Sequence, residues 1–356
     1  VIDILDFAIA IINGYTSTQM RQQHDSHHSS RYVPFVSVVI PVRNGQEHLG
    51  GLFEALVDLS YPTELYEVLL VDNLSSDSTP LLLDEFCRKQ ESGSIRWLSE
   101  PSMPSSFAAR NAGILSSSGE IIAFTDVDAL PAADWLSELV KPFEDQSVGV
   151  VAGAVVPACA TTWVESYAIK NEVLSHKRTL SDQFLPFGAT VNLAVRRNVF
   201  ERVGLFRKQL EPGGDWDMCW RILKSKDWQL EAAENAVVSH CHRKTLSGIR
   251  RQVRSFGVSC RYAETLYGPR KPVVADLGGR LPTRLTEWLF SELPAAAADM
   301  FAGRDPRANL FGLPMDVVLG LEYLCGYFGS SLAPSACQIE YLPTTNSSLS
   351  RTTGAD

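Results

Sequence analysis

The chain has 356 residues, 45% of them hydrophobic, and a formal charge of −9. That length holds one large α/β domain with appendages or two ordinary domains, and the apolar share excludes general disorder. The negative balance excludes nucleic acid as a partner of the molecule as a whole, and seven scattered cysteines without a CxxC pair read as free thiols of a reducing compartment, the cytoplasm.

The first fifteen residues are apolar but interrupted by Asp3 and Asp6. They lack the basic start and cleavage site of a signal peptide and fall short of the about 20 residues a membrane span needs. Residues 1–34 therefore read as an amphipathic segment, packed on protein or lying on a membrane surface, followed by a polar linker. His24, His27 and His28 sit in that linker without ligand spacing, which favours a solvated segment over a metal site.

From Val36 short apolar runs appear: Val38–Ile40, Val68–Val71 and Ile121–Phe124. Runs of this kind suit strands covered on both faces, as in a parallel sheet. Between them Leu49, Leu52, Phe53, Leu56 and Val57 recur at helical spacing until Pro62, and Ser78-Thr79-Pro80 signals a second helix capped by Ser78 or Thr79. Alternating strands and helices predict an α/β fold: a Rossmann-like, mixed but mostly parallel sheet between helical layers. Ligands of such sheets gather beyond the carboxyl ends of the strands. There stand Pro41-Val42-Arg43-Asn44, Asp72-Asn73 and Asp126-Val127-Asp128.

The strand pattern stops near residue 240, so residues 35–242 read as the catalytic domain and 243–343 as a helical C-terminal extension. On a helix Arg243, Arg250, Arg251, Arg254 and Arg261 form one stripe, with Leu246, Ile249, Val253 and Phe256 beside it. Such a helix suits peripheral contact with an anionic membrane, at the inner face of the cell membrane, or equally a helix packed on the catalytic domain with a solvated basic edge. A Pro- and Gly-rich loop follows near 268–282, then apolar segments at Trp288–Phe301 and Met315–Leu332. The latter carries Asp316 and Glu322, which favours interfacial contact over crossing. Residues 344–356, rich in Ser and Thr, read as a disordered tail.

Asp126 and Asp128, two apart at a strand end, can converge on one point. Carboxylates that close repel unless a cation lies between them, and hard oxygen ligands suit magnesium or manganese. A solvated strand-to-loop junction is the alternative. Asp72 opens a run through Thr79 that can hydrogen-bond a base edge and ribose hydroxyls, or be an Asx-rich turn. Arg110, in Arg110-Asn111-Ala112-Gly113, can answer diphosphate charge with a forked contact, or form a structural salt bridge. In Gly213 through Arg221 a helix is expected from about Trp216. Asp215 there is either an N-cap or a general base facing a sugar-sized cavity, kept ionised by the helix N-terminus. Asp217, further inside, is placed to brace Arg221.

In order along the chain, Val36–Asn44, Leu70–Thr79, Ala109–Gly113, Phe124–Asp128, Gly188–Asn192, Val203–Phe206 and Gly213–Arg221 resemble glycosyltransferase family 2. The resemblance covers about residues 35–245 and implies a GT-A fold, a nucleotide-sugar donor and inversion at the anomeric carbon. It implies that Pro41, Asn44, Asp72 and Asn73 hold the nucleoside, that Arg110 and Asn111 approach the diphosphate, and that Asp126 meets the donor ribose. Asp128 would hold the metal, manganese or magnesium, with His240 beside it, since similar enzymes have a histidine near this point that contacts metal or diphosphate. Asp215 would be the catalytic base, and Gly188, Asn192, Gly214 and Trp216 would surround the sugar and acceptor, a glycan, lipid or small molecule. Many relatives have Glu where this chain has Gly214, so Asp217 and Glu211 stand as alternative bases. Two other functions stay open: a nucleotidyltransferase of related fold, against which the Pro41–Asn44 segment lacks a Gly-rich basic loop, and a non-catalytic sugar-nucleotide-binding protein, which Gly214 alone encourages.

Overall fold

The computed structural model describes residues 32–90, 94–182, 184–269 and 281–342. The three expected strands form as β1 (Val36–Val42), β2 (Tyr66–Asp72) and β4 (Ile121–Phe124), joined by β3 (Ile95–Ser99). They run parallel in the order β3-β2-β1-β4, with Val38 beside Val68 on one side and Ala123 on the other. Every residue of β1 and β4 is buried, and each Val or Ile so removed from water contributes about 1.5–3 kcal/mol.

Four further strands complete the eight-stranded sheet: β5 (Ala129–Pro131), β6 (Val148–Pro157), β7 (Leu193–Arg196) and β8 (Gln229–His240). β7 runs antiparallel to both β4 and β6, β8 lies parallel to β6, and the short β5 closes antiparallel on β8. Hence the sheet is mixed.

The layer helices follow the sequence pattern. α1 (Leu49–Val57) buries Leu49, Leu52 and Leu56. α2 (Thr79–Arg88) starts after Ser78 with Pro80 in its first turn, but neither hydroxyl caps it: the Thr79 amide donates to Asp77 Oδ1 at 3.0 Å. α3 (Ser106–Ser116) is capped by Ser105, whose Oγ accepts from the Phe107 and Ala108 amides. Next come α4 (Trp135–Val140), α5 (Trp163–Lys170), α6 (His176–Leu180), α7 (Arg197–Val203) and α8 (Gly214–Ser225). α3, α7 and α8 cover one face of the sheet: Phe107, Ile114, Phe200 and Met218 share a core with Val39, Phe124 and Val195.

The extension is helical as expected. α9 (Leu246–Tyr267) crosses α12 (Gly312–Phe328), while a π-turn (Trp288–Glu292), α10 (Leu293–Phe301) and α11 (Arg307–Leu310) pack beside them. Gly257 and Gly326 let α9 and α12 approach backbone to backbone; a Cβ on either would fall 2.0 Å from a carbonyl oxygen of the other helix. The basic stripe is partly spent in this packing, because Arg250 and Arg254 each reach Glu322 at 2.6 Å. Among the described residues no helix is long and apolar enough to cross a membrane.

The chain then turns back onto the α/β body. The Leu205 amide donates to the Glu340 carbonyl at 2.6 Å, Lys208 pairs with Glu340 at 2.7 Å, and Leu342 is buried in the core beneath the sheet. Residues from Val33 onward thus make one unit. The segment 1–31, the histidines in it, most of the Pro- and Gly-rich loop and the tail 344–356 lie outside the described residues. None of the seven cysteines is in a disulfide.

Candidate functional site

The carboxyl ends of β1, β2 and β4 open into a cleft of about 240 Å³ lined by Pro41, Arg43, Asn73, Ser106, Arg110, Asp126, Asp128 and Glu211. The sheet alone dictates this place, because the polar residues that end each parallel strand emerge on one side.

Arg110 rises from α3, buried, with its guanidinium carbon 5.2 Å from the centre of the Phe107 ring and its Nη2 donating to Asp126 Oδ1 at 2.5 Å. Asp128 lines the same cleft with other partners. His240 Nε2, from the end of β8, lies 3.4 Å from its Oδ1, and Arg243 Nη1 lies 3.4 Å from its Oδ2. Burial alone would raise the Asp128 carboxyl, but the bond from His240 and the charges of His240, Arg243 and His48 bring it down to about 2. It is therefore ionised at neutral pH, as a metal ligand must be. Asp126 and Asp128 both line the cleft, one tied to Arg110 and the other to His240. Among the described residues no three His, Cys, Asp or Glu side chains form a metal cage. The Asp128–His240 pair fits a divalent ion that completes its shell with water and ligand oxygens.

Buried polar atoms without a protein partner collect here. Of six such side-chain atoms among the described residues, five belong to Asp72, Arg110, Thr125, His240 and His242, all at this end of the sheet. Such atoms cost about 1–3 kcal/mol each unless a ligand or water meets them, so the cluster marks a surface built for a polar ligand.

Asp215 lies across Arg110. Its Oδ1 accepts from Thr190 Oγ1 at 2.8 Å, and it sits in the first turn of α8 rather than just before it, because the helix begins at Gly214 and not at Trp216. Its carboxyl is pushed up, first by burial and then by the nearby negative charge of Asp126, against the lowering influence of Arg110 and Thr190. Burial thus works against the ionised form that the helix N-terminus is expected to favour. Thr190 is a partner that spacing did not single out, although it lies inside the Gly188–Asn192 motif. Gly214 has its own reason. A Cβ there would stand 2.6 Å from the Phe107 ring, so the helix start can rest on that ring only without a side chain.

Several expected site residues are committed elsewhere. Asp217 is fully buried and accepts from Arg207 (3.1 Å), Arg221 (2.9 Å) and Tyr267 (2.9 Å), so it braces α8 and has no free oxygen edge toward the cleft. Asn111 exchanges both amide groups with the Phe206 backbone, at 2.8 and 3.0 Å. Asn192 is a strap, donating to Ala154 and Ala236 carbonyls and accepting from Trp135, each at 2.8 Å. Trp216 is buried against Trp220 and Tyr267 with its Nε1 on Ser259, which excludes it as a sugar platform. Gly188 packs on Leu193 and Ala152. Asn44 spends its carbonyl oxygen on Ser76 at 2.8 Å, and Asn73 holds the 100–103 loop through Glu100 and Met103 while still lining the cleft. Glu211 lines the cleft and accepts from Ser106.

Against known proteins, the model described as Glycosyl transferase family 2 matches residues 37–204. The chain is 38% identical to glycosyltransferase AglE of Haloferax volcanii over 51% of its own length and 59% of that protein. It is 29% identical to the pre-mycofactocin glycosyltransferase of Mycobacterium tuberculosis over 59% of its length and 43% of that protein. It therefore spans less than two thirds of either relative. Among solved structures, a mannosyltransferase from Pyrobaculum calidifontis in complex with GDP-Man and Mn2+ superposes with a TM-score of 0.55 at 19% identity, covering 84% of this chain and 89% of that one. The likeness is one of fold, the GT-A arrangement of sheet and helices.

Proposed function

Because the chain belongs to glycosyltransferase family 2, we propose that it transfers a sugar, with inversion, from a nucleoside-diphosphate sugar to a hydroxyl or similar nucleophile of a glycan, lipid or small molecule. The observation that carries this is the cleft at the strand ends, where Arg110, Asp126, Asp128 and His240 meet beside buried polar atoms that lack partners.

Asp72, at the floor of the β2 end, offers an acceptor oxygen to the N–H groups of a base, and Pro41 and Asn73 shape the nucleoside wall. Arg110 is held by Asp126 in reach of a diphosphate, with Phe107 beneath it; its planar fork suits phosphate oxygens. Asp128 and His240 would hold a magnesium or manganese ion, which supplies neutralisation of the charge that builds on the departing diphosphate. Asp215 stands on the other side of Arg110 and takes the proton of the attacking nucleophile. A carboxyl raised toward neutrality is a better proton acceptor than an ordinary aspartate, provided the pH lies above its pKa. Seven dispersed cysteines without a CxxC pair favour a reducing, cytoplasmic setting.

The test is a thermal-shift panel of nucleotide sugars with and without manganese. One nucleotide class should raise Tm, and only with the metal. Asp128→Ala should lose that shift while keeping the ligand-free Tm. No shift from any nucleotide sugar would end this proposal.

A further inference from the structure

The helical extension is turned inside out. On α12 the charged residues Asp316 and Glu322 are buried, Asp316 against Arg284 (2.6 Å) and Tyr167, Glu322 against Arg250 and Arg254. Its outward positions are apolar: Val317 is 45%, Leu321 58% and Phe328 69% exposed. The segment before it repeats the pattern. Arg284 and Glu292 point inward, Glu292 toward Lys170 at 2.8 Å, while Leu289, Phe290 and Phe301 are exposed, the last at 93%. A helix standing in water shows the reverse arrangement, apolar in and charged out. Two successive segments with ion pairs inside and aromatic and aliphatic side chains outside therefore point to an outer medium less polar than water.

Length and charge select that medium. α12 has 17 residues, about 25 Å of helix, less than the about 30 Å of a bilayer core. Its buried carboxylates tie it along its side, Glu322 to two arginines of α9 and Asp316 to Arg284 and the Tyr167 hydroxyl of α5. It can lie in a membrane surface but not cross. The adjoining α9 brings Arg250, Arg251, Arg254 and Arg261 to the edge, each arginine of the three ion pairs about half exposed. With Glu322 shared by Arg250 and Arg254 and Glu264 near Arg261, the edge keeps a net positive charge. A cationic margin around an apolar face complements anionic headgroups above acyl chains.

We propose that the outward face of α12 and of the 281–301 segment rests in the interfacial zone of a phospholipid bilayer, with the α9 arginines at headgroup level. This differs from contact through the α9 stripe alone, because the apolar face supplies the attachment and the arginines supply the margin. It does not depend on the transferase proposal, since vesicle binding needs no donor.

The experiment is co-sedimentation of the full chain with vesicles of phosphatidylcholine and phosphatidylglycerol, at low and at high salt, with sedimentation velocity alongside. The chain should pellet with the vesicles, and part of the binding should survive high salt, which screens the arginines but not apolar burial. The combined variant Val317→Ser, Leu321→Ser, Phe328→Ser, folded by its unchanged Tm, should lose the salt-resistant part by at least about tenfold. Leu81→Ser, on the exposed side of α2, should change nothing. Failure of the chain to pellet, full salt-resistant binding by the triple variant, or a dimer that the triple variant breaks up while vesicles bind neither protein would each overturn the proposal; the last would assign the face to a second copy.

Discussion

The cleft at the strand ends and the seam between α8 and α9 hold the same kinds of residues and use them in opposite ways. At the seam Asp217 has three donors and the Trp216 ring N–H has Ser259. In the cleft Asp72, Arg110 and His240 each keep a buried atom without one. A filled hydrogen-bond complement is what a protein needs to stand, and an unfilled one beside a cavity is what it needs to bind. Asp215 and Asp217, two residues apart on α8, fall on opposite sides of that division.

Substitution can break the contrast. The largest expected effect is on turnover: Asp215→Asn should lower kcat by about 10²- to 10⁴-fold with donor affinity retained, measured by single-turnover transfer beside a donor titration. Should Asp215→Asn keep its turnover, the base lies elsewhere, and Glu211 on the cleft wall is next. Asp217→Ala should act on the fold instead. It strands Arg207 and Arg221, both largely buried, and should lower unfolding free energy by about 3–5 kcal/mol in a denaturant titration, with the donor affinity of the folded fraction unchanged. Gly214→Ala is smaller: a Cβ pressed on the Phe107 ring should cost about 1–3 kcal/mol, and a stable Gly214→Ala protein would show that the ring yields.

The smallest effect sharpens the comparison through pH. Burial, with the charge of Asp126, raises the Asp215 carboxyl in the folded protein. The folded chain then binds this proton more tightly than the unfolded one, so stability falls as pH rises from the ordinary aspartate range through the raised pKa. At neutral pH the native chain should melt slightly below Asp215→Asn, and the gap should close below the ordinary aspartate range. The acid limb of kcat/KM should lie above about pH 4, the usual aspartate value.

Much of the sheet was legible because its signals are local. Apolar runs such as Val68–Val71 and Ile121–Phe124 announce buried strands, and the polar residues that close them mark the cleft. Val148–Pro157 is such a run too, but that β7 enters antiparallel between β4 and β6 rests on pairing between distant segments and has no local mark. The same limit explains the misplaced site residues. Asn111 and Asn192 are the residue type a nucleotide pocket uses, but their partners are backbone groups at Phe206, Ala154 and Ala236, far along the chain. Spacing reports what a side chain can do, not which distant carbonyl claims it. Pro104 and Ser106 escape sequence reasoning for a related reason: they line the cleft through the loop that Ser105 caps into α3, and nothing in that loop advertises a ligand.

The return of the chain to the body gives the extension two moorings. It leaves from His240, whose ring touches Asp128, and comes back where Leu205 takes Glu340 and Leu342 enters the core. A segment held at one end can swing, whereas one held at both keeps a set angle and height to the body it leaves. The helices from α9 to α12 thus act as a bracket, and whatever surface they meet is met with the mouth of the cleft at a fixed distance and tilt.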